Sequence, residues 1–455
     1  MKNHLPRYLR QPGDEGYRTP TIEDLEKHGA FLLSDGDALT PRCPTPPVLS
    51  QFRSRCSQTP QSLPSPVVSV QMQWTDGLPT KLSWKERIRH LTWAFFTLTM
   101  ATGGLANVMY NVPFKARWIE VVGTTIFLLN IGIYLIICAL MCLRFYLFPY
   151  TFKTSFLHPT ESLFIPAVIV SLGTILINVS QYGPKHTGQW LDRVTVVLFW
   201  FDAVLAVASS ACIYLILWST QMFTIANMTP IWIFPAYPML IIGPHAAIMS
   251  SFASQADSFR IIVGGFTIQG VGFLVSMMVY SAFIYRLMTQ KLPNEDLRPG
   301  MFVSVGPSAF TVVGILGMAS HTDRAIPSDF MGDGELTAKI LLVVGSFSAL
   351  WLWGKAVKRA NMPFSMAWFS FVFPNTALIT STFAIGKVFS SRALDIAGCV
   401  MTGLLFLMYF FVVFVMFRAI VLRQILWPQK GEDKDEGGFK IKEIQPNVPN
   451  GVAIT

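Results

Sequence analysis

The sequence predicts an all-α polytopic membrane protein: ten transmembrane helices, alternately bent and straight, with the bent set lining a central pore. Three observations predict it. Hydrophobic residues make up 52% of the 455-residue chain and charged residues only 13%, far from soluble averages. Ten apolar stretches follow one another between residues 88 and 421, each near the roughly 20 residues that cross a bilayer. Prolines inside these stretches fall only on odd-numbered ones.

The odd stretches carry the polar chemistry. The first, 88–110, holds Thr97, Thr99, Thr102 and the pair Gly103-Gly104, which is expected to interrupt it in place of proline. The third, 161–181, holds Pro166, and the fifth, 230–251, holds Pro235, Pro238 and Pro244 followed by His245. The seventh, 300–320, carries Ser304, Gly306, Pro307, Ser308 and Thr311. The ninth, 366–386, carries Ser370, Pro374, Asn375, Thr376, Thr380, Ser381 and Thr382. A transmembrane proline frees a backbone carbonyl and kinks the rod, which is tolerated only beside protein, polar side chains or water. Interrupted helices also expose amides that attract negative charge. Phe234, Phe310, Phe371 and Phe373 stand at these breaks, as a hydrophobic plug would.

The even stretches, 121–143, 193–217, 261–284, 336–354 and 395–421, contain no proline. They read as straighter helices facing lipid. Asp202, in Phe199-Trp-Phe-Asp-Ala203 of the fourth, reads either as a proton-coupling carboxylate or as a group held by interhelical hydrogen bonds. His245 reads either as a partner for an anion or as a donor to a carbonyl freed by nearby prolines.

Formal net charge is +9, but the basic residues are spread over loops, which excludes a nucleic-acid surface. More of them flank one side of the predicted bilayer, among them Lys81, Lys85, Arg87, Arg89, Arg144 and Lys153 near the start. That excess puts both termini in the cytoplasm. Three regions follow: a disordered cytoplasmic N-terminal tail at 1–84, a transport domain at 85–425 and a cytoplasmic C-terminal tail at 426–455. In the first tail Thr19, Thr40, Thr45, Thr59 and Ser65 each precede a proline. They read either as solvated Ser/Thr-Pro pairs or as sites for a proline-directed kinase. The six cysteines and seven histidines have no metal-site spacing, no nucleotide or hydrolase motif occurs, and neither metal nor cofactor nor enzymatic activity is expected.

Four segments carry a resemblance. They are HLTWAFFTLTMATGG at 90–104, MTPIWIFPAYPML at 228–240, RPGMFVSVGPSAFT at 298–311 and WFSFVFPNTALITSTFAIGK at 368–387. Together they resemble the tellurite-resistance/dicarboxylate transporter family, in its fungal malic acid transport branch, over essentially all ten stretches. The resemblance implies five helical hairpins around a quasi-fivefold axis, with odd helices inside, and a homotrimer in the plasma membrane. It implies a small organic anion as substrate: malate, succinate or fumarate, with sulfite as the alternative. Plant slow-type anion channels share this architecture and close their pore with a phenylalanine directly before a proline. The matching gate here is Phe373. Buried arginines that would clamp two carboxylates are not evident, and Lys387, at the end of the ninth stretch, is the cation best placed to attract an anion.

Overall fold

The computed structural model describes residues 83–184, 187, 188, 190–220, 225, 228–290, 293, 295–321 and 364–427. All of them belong to one compact unit, Thr80–Thr455. The eighth apolar stretch and the five Ser/Thr-Pro positions of the N-terminal tail lie outside the described residues.

Nine long helices are described. They are α1 (Phe96–Asn111), α2 (Arg117–Leu147), α3 (Ala167–Tyr182), α4 (Trp190–Thr220) and α5 (Tyr237–Met249), then α6 (Gln255–Thr289), α7 (Val305–Ala319), α8 (Phe373–Phe389) and α9 (Arg392–Val421). Among the described residues there is no strand. Eight segments are long and apolar enough to cross a membrane, and α1 is shorter at 16 residues. The expected count of ten therefore includes one stretch that is not described.

Burial separates the two rings. In the most apolar 18-residue windows, 72%, 89%, 83% and 67% of residues are buried for the segments that end in α3, α5, α7 and α8. For α2, α4, α6 and α9 the shares are 22%, 33%, 33% and 22%. A helix apolar all round and buried all round belongs to the interior of a membrane bundle, and one apolar but exposed faces lipid. The contacts close the inner ring: α1 packs on α3, α3 on α5, α5 on α7, α7 on α8, and α8 back on α1. Each described outer helix lies over a seam between two consecutive inner ones. Helix α2 covers α1 and α3, α4 covers α3 and α5, α6 covers α5 and α7, and α9 covers α8 and α1.

The interruptions form a second ring at one level. Each inner helix is preceded by a short segment: Trp93–Phe95, Glu161–Phe164, Pro230–Ala236, Glu295–Ser304 and Met366–Phe371, all tight 3-10 turns except the second, a single α-turn. These five segments also touch in sequence and close on themselves. The prolines explain where regular helix begins: Pro166 caps α3, Pro238 opens α5 and Pro374 opens α8.

Carbonyls that the prolines leave without an N–H are met by side chains. The Trp232 carbonyl faces Pro235 three residues on and accepts from Tyr214 Oη at 3.0 Å. The Pro235 carbonyl faces Pro238 and accepts from Ser210 Oγ at 2.6 Å. The Ser304 carbonyl, at the N-terminal end of α7, accepts from Tyr280 Oη. The Phe371 carbonyl faces Pro374 and accepts from Asn375 Nδ2 at 2.8 Å. Three of these four donors come from outer helices α4 and α6. The outer ring therefore satisfies the breaks in the inner ring, as an apolar medium requires.

One expectation is corrected. Helix α1 runs unbroken through Gly103 and Gly104, and its interruption lies earlier, at Trp93–Phe95. The glycines instead let helices approach. A Cβ on Gly103 would lie 2.8 Å from Asn130 Nδ2 and Thr174 Oγ1, and one on Gly104 would lie 2.6 Å from Thr376 Oγ1.

Candidate functional site

Where the interrupted segments meet, the axis is filled by aromatic rings. Phe373, the first residue of α8, lies 5.3 Å from Phe310 of α7 and 6.1 Å from Tyr237 of α5. Tyr237 stacks on Phe234 at 5.2 Å, and Phe234 meets Phe164 at 5.2 Å. The cluster thus joins four of the five inner helices. The fifth, α1, contributes Thr97 and Met100 to the walls of the same small void. That void is about 10 Å³ and is lined by Phe234, Tyr237, Val303, Phe369 and Ser370 together with Phe373 and Pro374. A space of this size holds no more than one water.

The structure brings Phe234, Phe310, Phe373 and Pro374 together. Phe371 stands apart, packed on Phe302 at 4.7 Å and on Trp368. Four of the hydroxyls singled out in the sequence, Thr102, Ser304, Thr311 and Thr376, are bound to backbone of their own segments. Thr102 donates to the Leu98 carbonyl and meets Tyr409 Oη of α9 at 2.9 Å. Ser304 donates to Met301, Thr311 to Pro307 and Thr376 to Phe373. Ser308 is buried, and Gly306 lies against Tyr237. Lys387 is exposed at the C-terminal end of α8.

His245 sits one residue after Pro244, inside α5. Its ring meets Phe199 edge-on at 5.1 Å, and Nδ1 lies 3.4 Å from Asp202 Oδ2, both side chains being almost fully buried. Histidine and aspartate thus face each other across the boundary between inner helix α5 and outer helix α4.

Two features escaped the sequence reading. Tyr237 lies inside the quoted segment 228–240, and its O–H donates to the Val303 carbonyl. Arg144, counted among the flanking cations, is fully buried and donates from Nη1 to Glu161 Oε1 at 2.7 Å. Ser155 Oγ donates to the same carboxylate oxygen at 3.0 Å. This pair ties the end of α2 to the lead-in segment of α3.

A closed ring of five interrupted helices, with aromatic rings packed between them and apolar, exposed helices around them, defines a multi-pass membrane protein. The profile of the SLAC1 family, described as voltage-dependent anion channel, matches residues 90–417. The chain belongs to this family. It is similar to a malic acid transport protein of Schizosaccharomyces pombe, 28% identical over 363 residues, covering 76% of this chain and 82% of that protein. A putative malic acid transport protein of the same yeast is 26% identical, with 81% and 87% covered. A sulfite efflux pump of Trichophyton rubrum is 23% identical, with 67% and 84% covered.

Proposed function

We propose that the chain moves C4-dicarboxylate anions such as malate, succinate and fumarate through the axis of the inner ring, with Phe373 as the gate. The observation that carries this reading is the aromatic constriction at the level where all five inner helices begin. The N-termini of α1, α3, α5, α7 and α8 converge there, and each brings the positive end of a helix dipole. Five such ends favour an anion without placing a cation in the path. The malic acid transport proteins of fission yeast support the dicarboxylate as substrate.

In this reading the protein is a transporter or channel without catalytic activity. It sits in the plasma membrane with both termini in the cytoplasm. Gly104, Pro166, Pro235, Pro244, Ser308 and Asn375 belong to helices that line the path, Lys387 draws anions toward one mouth, and Thr102 and Gly103, singled out with them, face outer helices α9 and α2 instead. Assembly as a homotrimer and phosphorylation of the N-terminal tail belong to the same reading.

The test is transport in a cell that lacks dicarboxylate uptake. Labelled malate flux that depends on the protein supports the reading. Sulfite tolerance without malate flux assigns the chain to sulfite export, the activity named for the Trichophyton relative.

A further inference from the structure

We propose that Tyr237 is the latch of the gate: a positioning residue that holds the phenylalanine plug across the pore by anchoring its phenol to the Val303 carbonyl of the neighbouring inner helix. The proposal rests on Phe373 acting as the gate.

Among the plug residues Phe164, Phe234, Tyr237, Phe310 and Phe373, Tyr237 is the one with a polar atom. It is fully buried, and its ring touches three of the other four: Phe234 stacked at 5.2 Å, Phe310 edge-on at 6.3 Å and Phe373 tilted at 6.1 Å. A ring in that position sets the rotamers available to its neighbours.

Its oxygen has a specific partner. In an α-helix the Val303 carbonyl would receive the N–H of residue 307, but that residue is Pro307 and has none. The O–H of Tyr237 supplies the donor instead. The proline-freed carbonyls before α5 take donors from outer helix α4, as with Tyr214 and Ser210, and the Phe371 carbonyl takes one from Asn375 of its own helix. Here the donor comes from inside the ring and carries part of the plug. The bond therefore ties α5 to the lead-in segment of α7 directly beside Phe310 and Phe373.

Gly306 supports the same assignment independently. A Cβ there would lie 2.3 Å from Tyr237 Oη. Only a residue without a side chain lets the phenol reach across. The backbone is thus shaped to receive this hydroxyl.

The test is basal anion current under voltage clamp in oocytes, with chloride and malate, at matched surface expression. Tyr237→Phe keeps the ring and removes the donor, and it is expected to raise basal current on the order of fivefold or more. Gly306→Ala displaces the phenol and is expected to do the same, which keeps the proposal testable if the first variant fails to reach the surface. Tyr280→Phe removes an equivalent bond, to the adjacent Ser304 carbonyl, from a ring outside the plug. It is expected to leave basal current at the wild-type level. Phe373→Ala separates the two readings. If it opens the pore while surface-expressed Tyr237→Phe conducts as wild type, the latch is wrong and the gate stands. Equal rises in Tyr237→Phe and Tyr280→Phe reduce the effect to lost stability and overturn the latch. A silent Phe373→Ala overturns the gate and the latch together.

Discussion

His245 Nδ1 stands 3.4 Å from Asp202 Oδ2, and this contact joins an inner helix to the outer ring inside the apolar layer. Neither nitrogen of the imidazole has a hydrogen-bond partner among the described residues, and Asp202 Oδ2 has none either. Both side chains are buried in a medium where a lone charge is costly. His245→Gln leaves the carboxylate buried without its partner and is expected to lower the melting temperature in detergent. Asp202→Asn is expected to do so as well. In the double variant the losses should fall short of their sum, by a coupling of roughly 0.5–3 kcal/mol. Additive losses would show that the two side chains do not interact.

Phe373→Ala is expected to raise basal anion conductance. The ring makes contacts with Phe310 and Tyr237, and aromatic pairs contribute about 0.5–1.5 kcal/mol each beyond area burial. Removing both shifts the closed–open equilibrium by roughly 5- to 150-fold. Currents equal to wild type at equal surface density would refute the plug.

Gly104→Ala is expected to destabilise the bundle despite alanine's better helix propensity. The propensity gain is about 1 kcal/mol. Against it, the new methyl would sit 2.6 Å from Thr376 Oγ1 and 2.9 Å from its methyl carbon. Thr376 is β-branched and its hydroxyl is held by the Phe373 carbonyl, so it yields little, and overpacking of this kind costs about 1–3 kcal/mol. Adding Thr376→Ala should recover most of the loss. Thermal melts of the single and double variants check this, and a neutral Gly104→Ala would contradict it.

How much of this was legible beforehand varies from residue to residue. The prolines are visible in the sequence, and so is the division into two rings, because a missing N–H and an apolar run are local properties. Who satisfies the carbonyls at the breaks is not local. Ser210 lies 25 residues from Pro235, Tyr280 lies 24 from Ser304 and Tyr237 lies 66 from Val303. On outer helices, Ser210, Tyr214 and Tyr280 look like any polar residue in an apolar run. Gly103-Gly104 misleads for another reason. A glycine pair permits both a break and a close approach, and only the position of Thr376 and Asn130 decides between them. Arg144 looked like one flanking cation among several, because Glu161 follows it only after a turn and the short helix Tyr150–Leu157.

Ser210→Ala removes a donor that no water can replace in the lipid-facing layer. The Pro235 carbonyl then stays buried and unpaired, at a cost of about 1–3 kcal/mol. The expected readout is a lower melting temperature with the transported anion unchanged. Ser210→Thr keeps the hydroxyl and should restore part of the loss. Equal stability of wild type and Ser210→Ala would mean that the carbonyl finds another donor.

The void beside Phe373, about 10 Å³ in volume, has a consequence for energy conservation in the cell. Protons cross proteins by hopping along chains of hydrogen-bonded waters, and a chain needs several molecules in file. A space with room for one breaks the wire. If Phe373 is the gate, as proposed above, the same rings would insulate the membrane against proton leak as well as against the anion. A cell could then hold the protein at rest without draining a proton gradient across the membrane it spans.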